Sequence, residues 1–127
     1  MKVRDVPPGR LVSVEPGTTL AEVAKRMRRE SSDSAAVMSE GRLRGIITER
    51  DLVSAIADGV DAQEAIADVI MSANPATVGA NEDVAMVAVK MIRLGIRHLP
   101  VVDDEGSPIG LLSAHDLVSV LEKQGKR

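Results

Sequence analysis

Two tetrads in this chain set a hydroxyl three residues ahead of a carboxylate: Thr48-Glu49-Arg50-Asp51 and Ser113-Ala114-His115-Asp116. Fixed side by side, such a pair accepts and donates hydrogen bonds to a polyol such as ribose, and neighbouring backbone N–H groups favour an anion. The same spacing is also that of an N-terminal helix capping box, in which the hydroxyl and the acid satisfy orphan backbone donors; for an isolated instance the cap is the simpler reading. Other chemistry is thinly represented. The two histidines, His98 and His115, come without the carboxylates a zinc site needs, and no cysteine is present to act as nucleophile or metal ligand. No phosphate loop, dinucleotide fingerprint or nucleophile elbow occurs. No catalytic residue and no metal site is assigned.

The elements that position the tetrads repeat. Gly45-Ile46-Ile47-Thr48-Glu49-Arg50-Asp51-Leu52 returns 65 residues later as Gly110-Leu111-Leu112-Ser113-Ala114-His115-Asp116-Leu117. Leu20, Val23, Ala24 and Met27 return 64 residues later as Val84, Val87, Ala88 and Met91, and Val37-Met38 as Val101-Val102. Thr19 opens an amphipathic helix, with Glu22 placed for a capping box. Runs Ala35–Met38 and Gly45–Thr48 read as a hairpin, and a second helix follows Thr48 and stops near Gly59. The second unit predicts a helix from about Asn81 to Leu94, strands Leu99–Asp103 and Pro108–Ser113, and a helix from about Asp116 to Lys123. Short extended segments, Leu11–Val14 and Ala76–Val78, precede the first helices. Each unit reads β-α-β-β-α, dividing the chain at 1–62 and 66–124 with a connector at about 57–75. A half of this size is marginal alone, so the fold class is α+β, with two pseudo-symmetric units packed as one domain.

Composition bounds the partners. The 127 residues carry net charge −3, with 10 basic and 11 acidic side chains in residues 1–64 and 6 and 8 in the remainder. Neither half has the cationic excess that phosphate-backbone binding requires. Aromatic residues are absent, which removes stacking platforms for single-stranded nucleic acid. Nucleic-acid binding through Arg26, Arg28, Arg29 and a Lys123, Lys126, Arg127 tail therefore carries little weight, and the Lys25–Arg29 cluster reads as a solvated helix face. No apolar run reaches the roughly 20 residues of a membrane span, and Met1–Pro8 lacks an apolar leader core. Cytoplasm is the expected location.

The Gly-aliphatic-aliphatic-Ser/Thr-x-x-Asp-Leu pattern follows a strand Gly95-Ile96-Arg97-His98-Leu99-Pro100-Val101-Val102-Asp103, and Met71-Ser72-Ala73-Asn74-Pro75-Ala76-Thr77-Val78 leads into the second unit. Together these resemble the cystathionine β-synthase (CBS) domain family over nearly the whole chain. Two such units form a CBS pair, or Bateman module. The resemblance implies a non-catalytic regulatory module that senses an adenosine-containing ligand, AMP, ADP, ATP or S-adenosylmethionine, in a cleft between the units. It implies Asp116 and Asp51 as ribose ligands, with Ser113 and Thr48 as hydroxyl partners and Arg50 and His115 inside the tetrads. The Asp116 site would also draw on Thr18, Ser34 and Ala35, and Arg97 and His98 would stand where phosphates lie.

The units differ in a way that ranks the sites. Asp33 and Ser34 hold the places of Arg97 and His98, Ala36 that of Pro100, and Glu82 that of Thr18, so the Asp116 site is expected to be the principal one. Surplus apolar residues on the last helix of each unit, Leu52, Val53 and Ile56, and Leu117, Val118, Val120 and Leu121, lead us to expect a homodimer, and a regulated protein partner is implied without being identified. The competing reading is a constitutive interaction scaffold whose tetrads are helix caps alone.

Overall fold

In the computed structural model residues 1–7 and 9–125 are described; Pro8, and Lys126 and Arg127 of the basic tail, lie outside the described residues. The chain divides into two compact units, Leu11–Pro75 and a discontinuous one made of Met1–Arg10 with Ala76–Arg127.

In the Leu11–Pro75 unit, β1 (Ser13–Val14) runs parallel to β2 (Ser34–Ser39), which pairs antiparallel with β3 (Arg42–Thr48), and β3 pairs antiparallel with β4 (Ser72–Ala73). Helix α1 (Leu20–Arg29) crosses between β1 and β2. Thr19 Oγ1 accepts the Glu22 N–H at 3.3 Å, the first half of the expected capping box; the Glu22 carboxylate pairs with Arg26 Nε at 3.5 Å, one turn along. Leu20, Val23 and Met27 are buried, whereas Ala24, expected on the same face, is exposed. Hairpin β2–β3 is longer than its apolar runs because backbone pairing continues to Ser39 and Arg42, past the last buried side chain. Ser34, Ala35, Ala36 and Val37 are all buried, so the first half of β2 is covered on both faces. Helix α2 (Glu49–Ala57) follows β3 without a linker, and α3 (Ala67–Ile70) precedes β4. Val12, Val14, Val23, Met27, Ala35, Val37, Ile47 and Ala67 form the core.

The discontinuous unit repeats this plan. Strand β5 (Val78–Gly79) lies parallel to β6 (His98–Val102), and β6 antiparallel to β7 (Pro108–Ser113). Helix α4 (Val84–Leu94) starts three residues later than expected, at an Asp83 cap whose Oδ1 accepts the Ala85 N–H at 3.1 Å, because Glu82 instead turns back to Gly79 N. It ends at Gly95, whose φ of +66° is the left-handed conformation that closes a helix without Cβ strain. Helix α5 (Ala114–Gly125) follows β7 directly and packs against α4.

The leading segments are exchanged between the two sequence repeats. Val3–Asp5 forms a 3₁₀ turn; the Val3 N–H donates to Glu82 O at 2.9 Å and the Val84 N–H to Met1 O at 3.0 Å, with Val3 and Val6 buried among Val78, Val84, Val87 and Leu99. Gly9 and Leu111 exchange backbone bonds of 2.9 and 3.2 Å. The same contacts recur in the other unit: the Ala67 N–H donates to Thr18 O at 2.8 Å, the Leu20 N–H to Ala65 O at 3.0 Å, and Ser72 pairs with Ile46. Residues ahead of each sequence repeat thus dock on the other repeat. Chain continuity explains the exchange, because after α2 ends the short stretch to Ala65 returns to its own sheet before the chain moves on.

Candidate functional site

Each tetrad sits where a strand turns into a helix without an intervening loop, so the last strand residue is the helix cap. Thr48 Oγ1 accepts the Asp51 N–H at 3.3 Å and Asp51 Oδ2 accepts the Thr48 N–H at 2.8 Å. In the other unit, Ser113 Oγ accepts the Asp116 N–H at 3.0 Å and Asp116 Oδ2 accepts the Ser113 N–H at 3.0 Å. The capping reading is therefore realised in both. It does not exhaust the groups: only one carboxylate oxygen serves each cap, and a hydroxyl that accepts still has a proton to donate. The positive end of the helix macrodipole lies at the same place, which favours a bound anion.

A second backbone link fixes the tetrads to the start of the preceding strand. The Glu49 N–H donates to Asp33 O at 3.0 Å, and the Ala114 N–H donates to Arg97 O at 2.8 Å. Strand register adds Ser34 opposite Thr48 and His98 opposite Ser113. The discontinuous unit thus assembles Arg97, His98, Ser113, His115 and Asp116; Arg97 and His115 are exposed, and His98, Ser113 and Asp116 half-buried. The Leu11–Pro75 unit assembles Asp33, Ser34, Thr48, Arg50 and Asp51, with Arg50 exposed and Ala35 buried beside Ser34. Thr18, half-buried, stands in this second group's unit between β1 and α1, its N–H donating to Glu15 O at 3.0 Å. Ser34 is 0% exposed, and its Oγ has no hydrogen-bond partner in the structure. Among the described residues no group of three or more His, Cys, Asp or Glu side chains is placed to hold a metal ion, and no helix is long and apolar enough to cross a membrane.

Gly9 was not evident from the sequence. Its backbone lies against β7, and a Cβ there would come within 3.0 Å of Leu111 O and 3.8 Å of Asp116 Oδ2. Only the three-dimensional exchange of leading segments brings it to the Asp116 tetrad; no spacing pattern links the two.

Two units with mixed parallel and antiparallel sheets, each carrying a hydroxyl–carboxylate cap at a strand-to-helix junction, define a tandem-repeat α+β protein. The CBS domain model matches residues 3–58 and 66–123. The chain belongs to the CBS domain family. It is 37% identical over 112 residues to the uncharacterized protein MK0525 of Methanopyrus kandleri, covering 87% of this chain but 57% of that protein; the chain thus spans little more than half of that relative's length. Among solved structures it is similar to the CBS domain protein PAE2072 from Pyrobaculum aerophilum complexed with AMP, at 27% identity, with full coverage of both chains and a TM-score of 0.87. It is equally similar to the CBS domain pair of protein MJ0100 in complex with 5′-methylthioadenosine and S-adenosyl-L-methionine, at 27% identity, 98% coverage of each chain and a TM-score of 0.87.

Proposed function

We propose that this chain is a non-catalytic regulatory module that binds an adenosine-containing ligand and acts as a homodimer in the cytoplasm. The ribose meets Asp116 and Ser113, and the phosphates of AMP, ADP or ATP meet Arg97 and His98. The observation that carries this reading is the Asp116 junction, where a carboxylate oxygen left over from the cap, a hydroxyl proton, the α5 amino terminus and two cation-capable side chains share one strand-to-helix turn. The adenosine compounds bound by the two similar CBS proteins support it. Asp51 and Thr48 form a weaker site, since Asp33 stands where Arg97 would otherwise serve a phosphate. S-adenosylmethionine, which lacks phosphates, is the alternative ligand.

Ligand binding drives a switch only if it favours one of two conformations, so the regulated partner must read a state the ligand stabilises. The test is a thermal-shift and calorimetric panel of AMP, ADP, ATP, adenosine, 5′-methylthioadenosine and S-adenosylmethionine. A ligand specific to the folded state raises stability by about 2.7 kcal/mol at 100 times Kd. The fully formed capping boxes favour a second reading, a constitutive scaffold; folded protein that binds no member of the panel supports it.

A further inference from the structure

Helices α1 and α4 end in the same turn, built from different residues. At the end of α1 the Ser31 N–H donates to Arg28 O at 3.2 Å and the Ser32 N–H to Met27 O at 2.9 Å; at the end of α4 the Gly95 N–H donates to Ile92 O at 3.2 Å and the Ile96 N–H to Met91 O at 3.0 Å. Both turns need a left-handed residue. Gly95 supplies it at φ +66° without strain, whereas its counterpart 64 residues earlier, Ser31, takes φ +54° with a Cβ in place. Glycine would serve the α1 turn better, so a serine held there under strain points to a use for its hydroxyl. Ser31 is exposed, as are Arg28 and Arg29 on the last turn of α1.

We infer that Ser31 is a phosphorylation site, the acceptor for a serine kinase that reads Arg28 and Arg29, three and two residues ahead of it. Such a kinase selects its substrate by charge, carboxylates beside its cleft pairing with the guanidinium groups. Three serines of the chain follow an arginine by three residues: Ser13, Ser31 and Ser32. Ser13 lies within β1 opposite Ala36, and its carbonyl accepts Arg26 Nη1 at 3.2 Å. The Ser32 hydroxyl is engaged twice, donating to Ser34 O at 2.8 Å and accepting the Ser34 N–H at 3.3 Å. Of the three, Ser31 alone combines two arginines, an exposed position and a strained turn at a helix end, where local opening costs least. In the transfer, Ser31 Oγ attacks the γ-phosphorus of a nucleoside triphosphate held by the kinase. The bond from that phosphorus to the β-bridging oxygen breaks, the diphosphate leaves, and the hydroxyl proton passes to a carboxylate of the kinase. The product adds a charge of about −1.5 to −2 two residues ahead of Asp33, whose carbonyl accepts the Glu49 N–H at the Asp51 tetrad. The second repeat reads Ile92-Arg93-Leu94-Gly95 and has no hydroxyl at this turn, so the modification marks one unit of the pair.

The test is a kinase assay on the folded full chain, with a purified serine kinase that prefers arginine three and two residues ahead of its acceptor, γ-labelled ATP, and tandem mass spectrometry to place the phosphate. Ser31→Gly is the central variant, because it removes the hydroxyl while suiting the left-handed φ of the turn. Far-ultraviolet circular dichroism checks that every variant is folded. The expected result is a single phosphate per chain, on Ser31, none in Ser31→Gly, and kcat/KM lower by more than about tenfold in Arg28→Gln and Arg29→Gln, with Ser13→Ala and Ser32→Ala labelled like wild type. Label that survives Ser31→Gly overturns the assignment, as does a rate indifferent to both arginines. Labelling of a synthetic peptide spanning residues 25–34 but not of the folded chain also overturns it, since the turn would then withhold the serine rather than present it.

Discussion

Ser34 and Thr48 face each other in register across β2 and β3, but only one of the two hydroxyls is used: Thr48 Oγ1 accepts the Asp51 N–H, while Ser34 Oγ is fully buried with no partner. A buried, unsatisfied hydroxyl costs about 1–3 kcal/mol, and removing it relieves that cost. Ser34→Ala is therefore expected to be neutral or to stabilise the ligand-free protein by about 1 kcal/mol, read from urea unfolding followed by circular dichroism. A loss of stability greater than about 1 kcal/mol would mean that the hydroxyl has a partner in solution.

Asp116 and Asp51 do the same structural work, so their substitution separates cap from ligand contact. Asp116→Ala and Asp51→Ala are each expected to cost about 1 kcal/mol of stability, as lost caps do. Ligand affinity should diverge: about ten- to a hundredfold weaker for Asp116→Ala, from the loss of charge-assisted bonds to ribose, and nearly unchanged for Asp51→Ala. Calorimetric titration with AMP and ATP decides it, and equal losses would refute the ranking of the two sites.

Arg97→Ala should weaken AMP and ATP at least tenfold more than adenosine, because a guanidinium fork engages phosphate oxygens and has nothing equivalent to hold on the nucleoside. Arg97 is exposed, so its truncation leaves the core intact, and melting curves check this. A uniform loss across the three ligands would remove phosphate recognition from this side chain.

Gly45 should be the least replaceable glycine of the Leu11–Pro75 unit. A Cβ there would fall 2.6 Å from Met71 Sδ and 2.7 Å from Ser72 O, where β4 closes on β3. Gly45→Ala is expected to cost about 1–3 kcal/mol by overpacking, against little change at Gly17, where a Cβ meets nothing within 4 Å. Denaturant midpoints of the two variants make the comparison.

The sequence announced the elements that carry apolar periodicity. Leu20, Val23 and Met27 and their counterparts Val84, Val87 and Met91 gave the helices, and the Gly-led octets gave the hairpins and both caps. Elements held chiefly by backbone bonds escaped it: α3, β4 and the Val3–Asp5 turn are too short to show a period, and their docking depends on contacts far away in the chain. The site was legible to the same extent. Hydroxyl and carboxylate could be paired from spacing, whereas the proximity of Gly9 to Asp116 and the buried isolation of Ser34 Oγ arise only from tertiary packing.

The exchange of leading segments also sets an order of assembly. Leu11–Pro75 is contiguous and has all of its strands once Ala73 has been synthesised, so it can close early during translation. The first ten residues, made before any of it, bond locally in the Val3–Asp5 turn but must wait for Glu82, Val84 and finally Leu111, far along the chain, for their long-range backbone partners. Joining the two ends of a chain is the slowest kind of contact to form. An amino-terminal tag or fusion therefore acts on the last unit to fold rather than the first. A polypeptide cut at the repeat boundary would leave the first half without β4, and the second without the Val3–Asp5 turn and the Gly9 bridge to Leu111.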